Sequence, residues 1–444
     1  MTLLDQEYTE AFPQSGAAHA RAMRVLPDGV THVARGIRPF PVLIDRAAGS
    51  RKWTVEGREL IDYVTGHGSL LLGHSYPPVV QAVQTQMARA THPGGSTELE
   101  IEWAEWVCRL VPGAEKVRFV NSGTEAAMMA ARLARIYTCK SRILRFHGHF
   151  HGWSDGLATD AMPPYGAAEP GIDPPPTVTV APGDLALVEQ ALSSHQDVAA
   201  VILEPTGGHW GEVPLGAGFL QGLREISTRH GVLLICDEVV TGFRVAPGGA
   251  QEKFGVQADL TVLAKVLAGG LPGGAVTGRA EILELLAGSK PGPRLRHPGT
   301  FNGNPLSAVA GIATLREVSS GDPQRRADAA ASALRQGMNR CIQELGLPWR
   351  AYGTFSDFHV VTGYEGPQPD DDAFIPYGGN FARLCVTPSG ALVEASRKLM
   401  LLEGVDWFGM RGITSAAHSE QDIAETLTAF RRMATRLQND GVTK

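Results

Sequence analysis

A lysine and an aspartate each end an apolar stretch of this chain, and their positions suggest covalent chemistry. Asp237 directly follows the apolar segment 231–236, and Lys265 directly follows segment 259–264. A carboxylate close to the core needs a partner, because burying a lone charge is costly. The partner is either Arg244 or a protonated heteroaromatic nitrogen. Burial of Lys265 would lower the pKa of its amine and leave it nucleophilic.

A third feature could hold an anion. Asn121 is followed by Ser122, Gly123, Thr124 and Glu125, directly after the apolar segment Lys116–Val120. Ser122 and Thr124 are good N-cap residues, Gly123 permits close backbone approach, and the free N–H groups of a helix N-terminus bind phosphate. Plain helix capping is the competing interpretation, since many strand–helix turns have this composition.

The elements that must position these residues alternate between strand and helix. Apolar runs predict four buried parallel strands, and helical patterns intervene at 125–137 and 219–230. The predicted strands are Lys116–Val120, Val198–Leu203, 231–236 and 259–264. This alternation predicts a doubly wound α/β domain with its ligand site at the carboxyl ends of the strands.

The chain is long enough for more than one domain. We expect a large domain with a mostly parallel central sheet over residues 60–325. Residues 1–59 and 326–444 should form a smaller α+β domain, with helices at 324–345 and 391–403, a strand near 358–361 and a closing helix from about Ser419. Two proline-rich stretches, 162–176 and 366–380, are expected to be lids or substrate walls.

Composition narrows the function class. With 444 residues and a formal net charge of −6, the chain lacks the basic footprint of a nucleic-acid-binding protein. No apolar stretch is long enough for a membrane helix, and the first residues lack the pattern of a secretory signal. The five cysteines are scattered and never spaced as CxxC, which favours reduced thiols and a cytoplasmic location.

The sequence argues against two other kinds of site. His147, His149 and His151 alternate along the chain, but no nearby cysteine or carboxylate completes a tetrahedral set, so we expect no metal. A dinucleotide site would need GxGxxG after the first strand, and Asn-Ser-Gly-Thr-Glu-Ala does not provide it. An anion cradle, a deep carboxylate and a buried lysine at strand ends instead match the needs of pyridoxal 5'-phosphate (PLP).

These residues resemble the class III aminotransferases of PLP fold type I, in particular the branch around glutamate-1-semialdehyde aminomutase. The resemblance extends over nearly the whole chain. Its marks are PDGV (27–30), LLLGHSYP (70–77), VRFVNSGTEA (117–126), HGHFHGWSD (147–155), ILEP (202–205), CDEVVTGFR (236–244), LTVLAKVLAGGLPGGA (260–275) and HPGTFNGNP (297–305).

The resemblance implies a role for each matching residue. Lys265 would form the Schiff base with PLP, and Asp237 would pair with its pyridine nitrogen. The other implied cofactor contacts are Val239 and Phe150 on the ring faces, His151 beside Phe150, Glu204 near the cofactor hydroxyl, Ser122, Gly123 and Thr124 at the phosphate, and Thr300 at the phosphate of the neighbouring subunit. A homodimer with two shared active sites is therefore implied as well.

The same comparison separates two reactions. The aminomutases carry a GSGALT-like lid and a PSQFEA-like segment with a pocket glutamate, whereas this chain has MPPYGAAEPG and, at 408–415, FGMRGITS. These departures favour a branch that transaminates β-amino acids or D-aryl amino acids. Arg35 and Arg411 would bind substrate carboxylates, unless they are surface charges or structural ion pairs. We expect a transaminase passing an amino group from a carboxylate-bearing donor to a 2-oxo acid; the aminomutase is the alternative.

Overall fold

A computed structural model describes residues 2–154, 156–158, 176–289, 291–385 and 389–443. The predicted lid or wall at 162–176 therefore lies, apart from Pro176, outside the described residues. Within them, the strands are β1 (Ile44–Ala48), β2 (Arg51–Thr54), β3 (Glu59–Asp62), β4 (Lys116–Val120), β5 (Arg142–Phe146), β6 (Thr177–Val180), β7 (Val198–Leu203), β8 (Val213–Pro214), β9 (Leu233–Asp237), β10 (Leu260–Ala264), β11 (Gly274–Gly278), β12 (Trp349–Tyr352), β13 (Asp357–Thr362), β14 (Val405–Asp406) and β15 (Arg411–Ile413).

Helices lie between and around these strands. They are α1 (Leu3–Ala11), α2 (Pro13–Ala22), α3 (Thr65–Gly68), α4 (Pro77–Arg89), α5 (Glu98–Leu110), α6 (Gly123–Thr138), α7 (Leu185–Ser194), α8 (Gly208–Gly211), α9 (Phe219–Arg229), α10 (Gly249–Phe254), α11 (Ala280–Leu283), α12 (Pro305–Val318), α13 (Asp322–Leu345), α14 (Phe381–Leu384), α15 (Gly390–Leu402) and α16 (Glu420–Asn439). Short 3-10 helices cover Pro27–Gly29, Val33–Arg35, Lys265–Ala268, Glu284–Leu286 and Pro376–Gly379.

The largest sheet has seven strands in the order β4-β11-β10-β9-β7-β5-β6. Only β11 runs against its neighbours, so the sheet is mostly parallel and the expected α/β class is confirmed. Strands β9 and β10 pair in parallel with Val262 opposite Asp237. The carboxyl ends of β4, β7, β9 and β10 consequently share one edge of the sheet, where ligands bind in such folds.

Helices cover both faces of this sheet. Helix α6 buries a stripe of small side chains, among them Ala126, Ala130 and Ala134, which lets its backbone lie close to the strands. Apolar side chains of α7 and α9 pack on the other face. Burial on both faces explains why β7, β9 and β10 are continuous apolar runs without alternation.

Two smaller sheets complete the architecture, with orders β1-β2-β3-β14 and β12-β13-β15. Strand β14 pairs in parallel with β3, so the N-terminal strands and the C-terminal segment form one sheet. Helices α13, α15 and α16 enclose an apolar core that includes Trp349, Trp407 and Phe430. The division into a large domain over 60–325 and a smaller one from residues 1–59 and 326–444 stays a prediction.

The predicted strands over 116–120 and 198–203 are confirmed, and two others differ at their ends. The strand expected at 231–236 runs from Leu233 to Asp237, because Asp237 still pairs with Val262. The strand expected at 259–264 begins one residue later, at Leu260. The next strand, β11, begins at Gly274. A Cβ at Gly274 would lie 2.5 Å from the carbonyl oxygen of Ser122, so only glycine allows this approach.

Candidate active site

Lys265 stands at the sheet edge where β10 passes into a 3-10 helix. Its φ of +51° is in the left-handed region, which a residue other than glycine occupies at a cost of roughly 1 kcal/mol or more. The Nζ atom lies 5.4 Å from the centre of the Trp210 ring. Burial lowers the pKa of Lys265 to about 8, against the opposing effect of the Glu204 and Asp237 carboxylates. A large fraction of this amine is therefore neutral near pH 8.

Asp237 ends β9 and is fixed on both carboxylate oxygens. Its Oδ2 atom lies 2.7 Å from Nδ1 of His151, and its Oδ1 atom accepts a hydrogen bond of 3.1 Å from the Val239 N–H. Both Asp237 and His151 are buried. Arg244, the protein partner suggested for Asp237 by the sequence, does not bind this carboxylate. It donates instead to Ser356 Oγ and to backbone carbonyl groups.

The anion cradle forms at the start of α6. Ser122 is the N-cap, and its Oγ atom accepts the Glu125 N–H at 3.2 Å. The first N–H groups of a helix have no acceptor within it, so those of Gly123 and Thr124 are available to a ligand. A Cβ at Gly123 would lie 2.9 Å from Cγ2 of Val239, so glycine is required where the cradle meets the segment after β9.

Glu204 follows β7 at the same edge. Its Oε1 atom accepts N–H groups of Phe150 at 2.7 Å and His209 at 3.2 Å. Burial raises the pKa of Glu204 to about 7. The Phe150 ring is half exposed, unlike most large apolar side chains of the protein, and is available to cover a bound ring.

Trp210, which the sequence did not single out, forms a central wall of this site. It lies in α8 with a φ of +65°. The guanidinium of Arg411 lies 5.7 Å from the centre of the Trp210 ring. The Nη1 atom of the same guanidinium donates to Oε2 of Glu212 at 2.7 Å. The available signal was the glycine-rich segment 207–211, which permits a tight backbone next to the lysine.

Arg411 and Glu212 form an ion pair that affects the pKa of the glutamate. Burial alone would raise the pKa of Glu212, but the Arg411 guanidinium and two histidines outweigh burial and hold that pKa below its usual value. Both side chains are about 30% exposed, so solvent reaches the pair. The structural ion pair foreseen for Arg411 is thus present, and the Arg411 guanidinium lies beside the Trp210 ring.

Two further expected residues lie at the margins of the site. Arg35 is exposed in the 3-10 helix Val33–Arg35, where its Nη1 atom donates to Thr31 Oγ1 at 2.9 Å. Thr300 is exposed in the loop before α12. Two residues beyond it, Asn302 lies 3.4 Å from Asn121, next to the cradle. The role of Thr300 at a neighbouring subunit stays a prediction.

The residues present fit PLP. The N-terminus of α6 can hold its phosphate, the buried carboxylate of Asp237 its ring nitrogen, and the amine of Lys265 its aldehyde. The Nε2 atom of His151 is buried without a hydrogen-bond partner among the described residues, so it can bind a group held in the site. Ser122 caps α6 and Thr124 lies in its first turn, whereas Glu204 directly follows β7 and Val239 lies two residues after β9.

Other ligand types find less support. In the described part of the chain, no group of three or more histidine, cysteine, aspartate or glutamate side chains could hold a metal ion. The five cysteines are free. Among the described helices, none has the length and apolar character needed to cross a membrane.

Comparison with known proteins gives a family. The family model described as "Aminotransferase class-III" matches residues 32–348 of this chain. Glutamate-1-semialdehyde 2,1-aminomutase 2 of Brevibacillus brevis is 39% identical over 430 residues, covering 92% of this chain and 95% of that protein. Glutamate-1-semialdehyde 2,1-aminomutase of Chloroflexus aurantiacus is 42% identical over 449 residues, covering 95% and 96%.

Solved structures include both transaminases and aminomutases. An omega-transaminase from Sphaerobacter thermophilus has a TM-score of 0.84 at 30% identity, covering 96% of this chain and 98% of that one. A variant of glutamate-1-semialdehyde aminomutase from Pseudomonas aeruginosa PAO1, in complex with PMP, has a TM-score of 0.85 at 25% identity, covering 98% and 97%. A transaminase with PLP bound has a TM-score of 0.85 at 31% identity, covering 97% and 99%.

Proposed function

Because this chain belongs to the class III aminotransferases, a PLP-dependent family of fold type I, we propose that it moves the amino group of a carboxylate-bearing substrate at Lys265. The first candidate reaction is a transamination, in which a β-amino acid, D-amino acid or related donor passes its amino group to a 2-oxo acid such as 2-oxoglutarate or pyruvate. The second is the intramolecular transfer of an aminomutase.

One observation supports transamination best: Lys265 and Arg411 both contact the ring of Trp210. The Nζ atom of Lys265 lies 5.4 Å and the Cζ atom of Arg411 lies 5.7 Å from the ring centre. Arg411 is held by Glu212 yet remains partly exposed, so a substrate carboxylate can compete with Glu212 for the guanidinium. A two-substrate enzyme must accept a donor and then a different 2-oxo acid in one pocket. An arginine with an internal carboxylate partner suits both substrates, because it is neutralised when no carboxylate is bound.

The proposed roles of the chain's own groups follow from their positions. PLP, when bound, supplies an electron sink for the bond-breaking step. Neutral Lys265 would accept and return a proton at the reacting carbon as a general base and acid, for which a pKa of about 8 is suitable. Asp237, oriented by His151, would hold the charge of the ring nitrogen. Phe150 and Trp210 would exclude water.

The names of the relatives favour the second candidate. The two curated relatives described above are glutamate-1-semialdehyde 2,1-aminomutases that align over nearly the full chain. They therefore support the alternative of the sequence analysis better than its preferred transaminase. Against this, segment 408–415 has arginine at 411 and no glutamate, and transaminases occur among the solved structures as well.

A product analysis tests the proposal and separates the two reactions. The holoenzyme is incubated with glutamate-1-semialdehyde alone, and in parallel with a panel of α-, β- and D-amino acids with and without 2-oxoglutarate or pyruvate. A transaminase converts a donor only when the 2-oxo acid is present and gives two products. Isomerisation of the semialdehyde without acceptor would establish the mutase. Conversion of no compound in either assay would contradict both.

We also propose that the protein acts as a homodimer with shared sites. Apolar side chains are exposed on α4, α5 and the loop that contains Thr300, including Met87, Ile101 and Phe301. Large apolar side chains that are exposed in the single chain are candidates for a subunit interface. Size-exclusion chromatography with light scattering should give twice the chain mass of 47.3 kDa. The cytoplasmic location expected from the cysteines remains a prediction.

A further inference from the structure

Helix α3 is a strained turn that lies next to the Lys265 side chain. Four consecutive residues of α3 have positive φ: Thr65 at 46°, Gly66 at 60°, His67 at 56° and Gly68 at 85°. A left-handed conformation is uncommon outside glycine and is especially unfavourable for a β-branched residue such as Thr65. A conformation of this cost persists only where the surrounding structure imposes it, and such strain is concentrated at functional sites.

Buried polar groups hold this turn at both ends. At its start, the Asp62 carboxylate accepts the N–H groups of Val64 at 2.9 Å and Thr65 at 3.0 Å. The same carboxylate binds Lys52 at 2.8 Å and His74 at 2.6 Å. These contacts fix the backbone before it reaches the left-handed residues.

At the end of the turn, Arg244 Nη2 donates to the carbonyl of Gly68 at 2.9 Å. A Cβ at Gly68 would lie 3.9 Å from Cδ of Lys265 and 3.2 Å from Cδ1 of Ile413. The turn is thus placed directly against the lysine side chain. Its backbone is determined by neighbours rather than by its own conformational preference.

The side chain presented by this turn is His67. Its ring stacks on His32 with centroids 4.7 Å apart and planes 23° from parallel, and it lies 5.4 Å from the ring of Phe408. The Nδ1 atom of His32 accepts the Ala34 N–H at 3.1 Å, so a neutral His32 carries its proton on Nε2. His32 caps the short helix Val33–Arg35, and the Arg35 charge acts on both imidazoles.

The charges around the two imidazoles are positive. Burial, followed by His32, Arg35 and Lys265, lowers the pKa of His67 to about 4. Burial, Arg35 and Lys265 likewise lower the pKa of His32. Among the described residues, no hydrogen bond engages the ring nitrogens of His67. A cluster of donors without a carboxylate partner is arranged for an anionic ligand.

We propose that His67, with His32 stacked behind it, donates a hydrogen bond to the substrate carboxylate that Arg35 attracts, and so contributes to specificity for carboxylate-bearing substrates. This inference deepens the proposed function and rests on it. A purely structural role, in which the ring only fills the wall beside Phe408, would require ring shape but no N–H group. Variants of His67 that remove the ring and the N–H donor one at a time therefore distinguish the two roles.

The test measures binding without turnover. Isothermal titration calorimetry follows glutarate, a carboxylate without an amino group, into the holoenzyme, with glutaramide as the uncharged probe. His67→Phe keeps a stacking ring and removes the donor, whereas His67→Gln keeps a donor and removes the ring. His195→Phe, remote at the end of α7, is the matched control.

We expect His67→Phe to weaken glutarate binding about tenfold, with His67→Gln within about threefold of the wild type and glutaramide binding the same in all variants. Equal losses in His67→Phe and His67→Gln, an unchanged affinity in His67→Phe, or no glutarate binding by the wild type would overturn the inference. Amino-group transfer is assayed separately. If glutarate binding depends on His67 but the protein transfers no amino group, the proposed function is wrong and the carboxylate site at His67 is still supported.

Discussion

The Nδ1 atom of His151 lies 2.7 Å from the Oδ2 atom of Asp237, and both side chains are buried. An imidazole N–H in this position orients the carboxylate and lowers the cost of its burial. The carboxylate is thereby fixed before the cofactor arrives. Preorganised charge of this kind is often the largest single contribution to catalysis.

Replacing the charge of Asp237 should therefore be costly. We expect Asp237→Asn to reduce kcat by roughly a hundredfold or more, because the amide cannot stabilise a protonated ring nitrogen. His151→Gln should give a smaller loss in the same direction. Single-turnover kinetics at matched cofactor occupancy measure the effect, with Asp197→Asn, at a partly exposed aspartate paired with Arg142, as control. Wild-type kcat in Asp237→Asn would contradict this role.

Lys265→Ala should abolish both turnover and the visible absorbance of the lysine-bound cofactor. The variant removes the amine that lies 5.4 Å from the Trp210 ring, and no other described lysine occupies that position. Lys253→Ala, which removes an exposed lysine, should keep both signals. Absorbance spectra and product assays on the two variants decide the matter. Residual activity with an intact absorbance band in Lys265→Ala would refute the assignment.

Glu204 should make the stability of the cofactor-free protein depend on pH. Burial raises its folded-state pKa to about 7, above an ordinary value of 4.5, so folding favours the protonated form. Its contribution is fully present below about pH 4.5 and is lost as the pH rises through 7. Glu204→Gln keeps acceptors for Phe150 and His209 and should stabilise the protein at pH 8 by up to roughly 3 kcal/mol.

Urea unfolding of wild type and Glu204→Gln at pH 5 and pH 8 measures this difference. The stability gain should be small at the lower pH and largest at the higher pH. Glu225→Gln, which changes an exposed carboxylate outside the site, serves as the comparison. A gain of equal size at both pH values would show that ionisation of Glu204 is not its cause.

Glu212 should compete with substrate for Arg411. In Glu212→Gln the guanidinium loses its ionic partner at 2.7 Å, and we expect the KM for 2-oxoglutarate to fall several-fold. Arg411→Gln should raise the same KM about tenfold. Pyruvate, which lacks the second carboxylate, is the control substrate and should respond less. Steady-state kinetics with both acceptors test this, and a KM for 2-oxoglutarate unaffected by either change would exclude the competition.

Much of the chemistry could be predicted from the chain alone. Lys265, Asp237 and Ser122 each stand at the end of an apolar run, and such runs form the buried parallel strands β10, β9 and β4. Carboxyl ends of parallel strands meet at one edge, so local pattern was sufficient to bring these residues together. Strand β11 was missed because its glycines resemble a turn; its pairing with β4 is a long-range contact.

The sequence by itself determined which groups can react, since residue type and position after a strand are local properties. Only the tertiary structure decided how they are neutralised and oriented. Asp237 pairs with His151 rather than with Arg244, Arg411 pairs with Glu212, and the strained turn at His67 is fixed at its end by Arg244, 176 residues from Gly68. Hydrogen bonds between residues far apart in sequence leave no periodic signal, so folding alone reveals them.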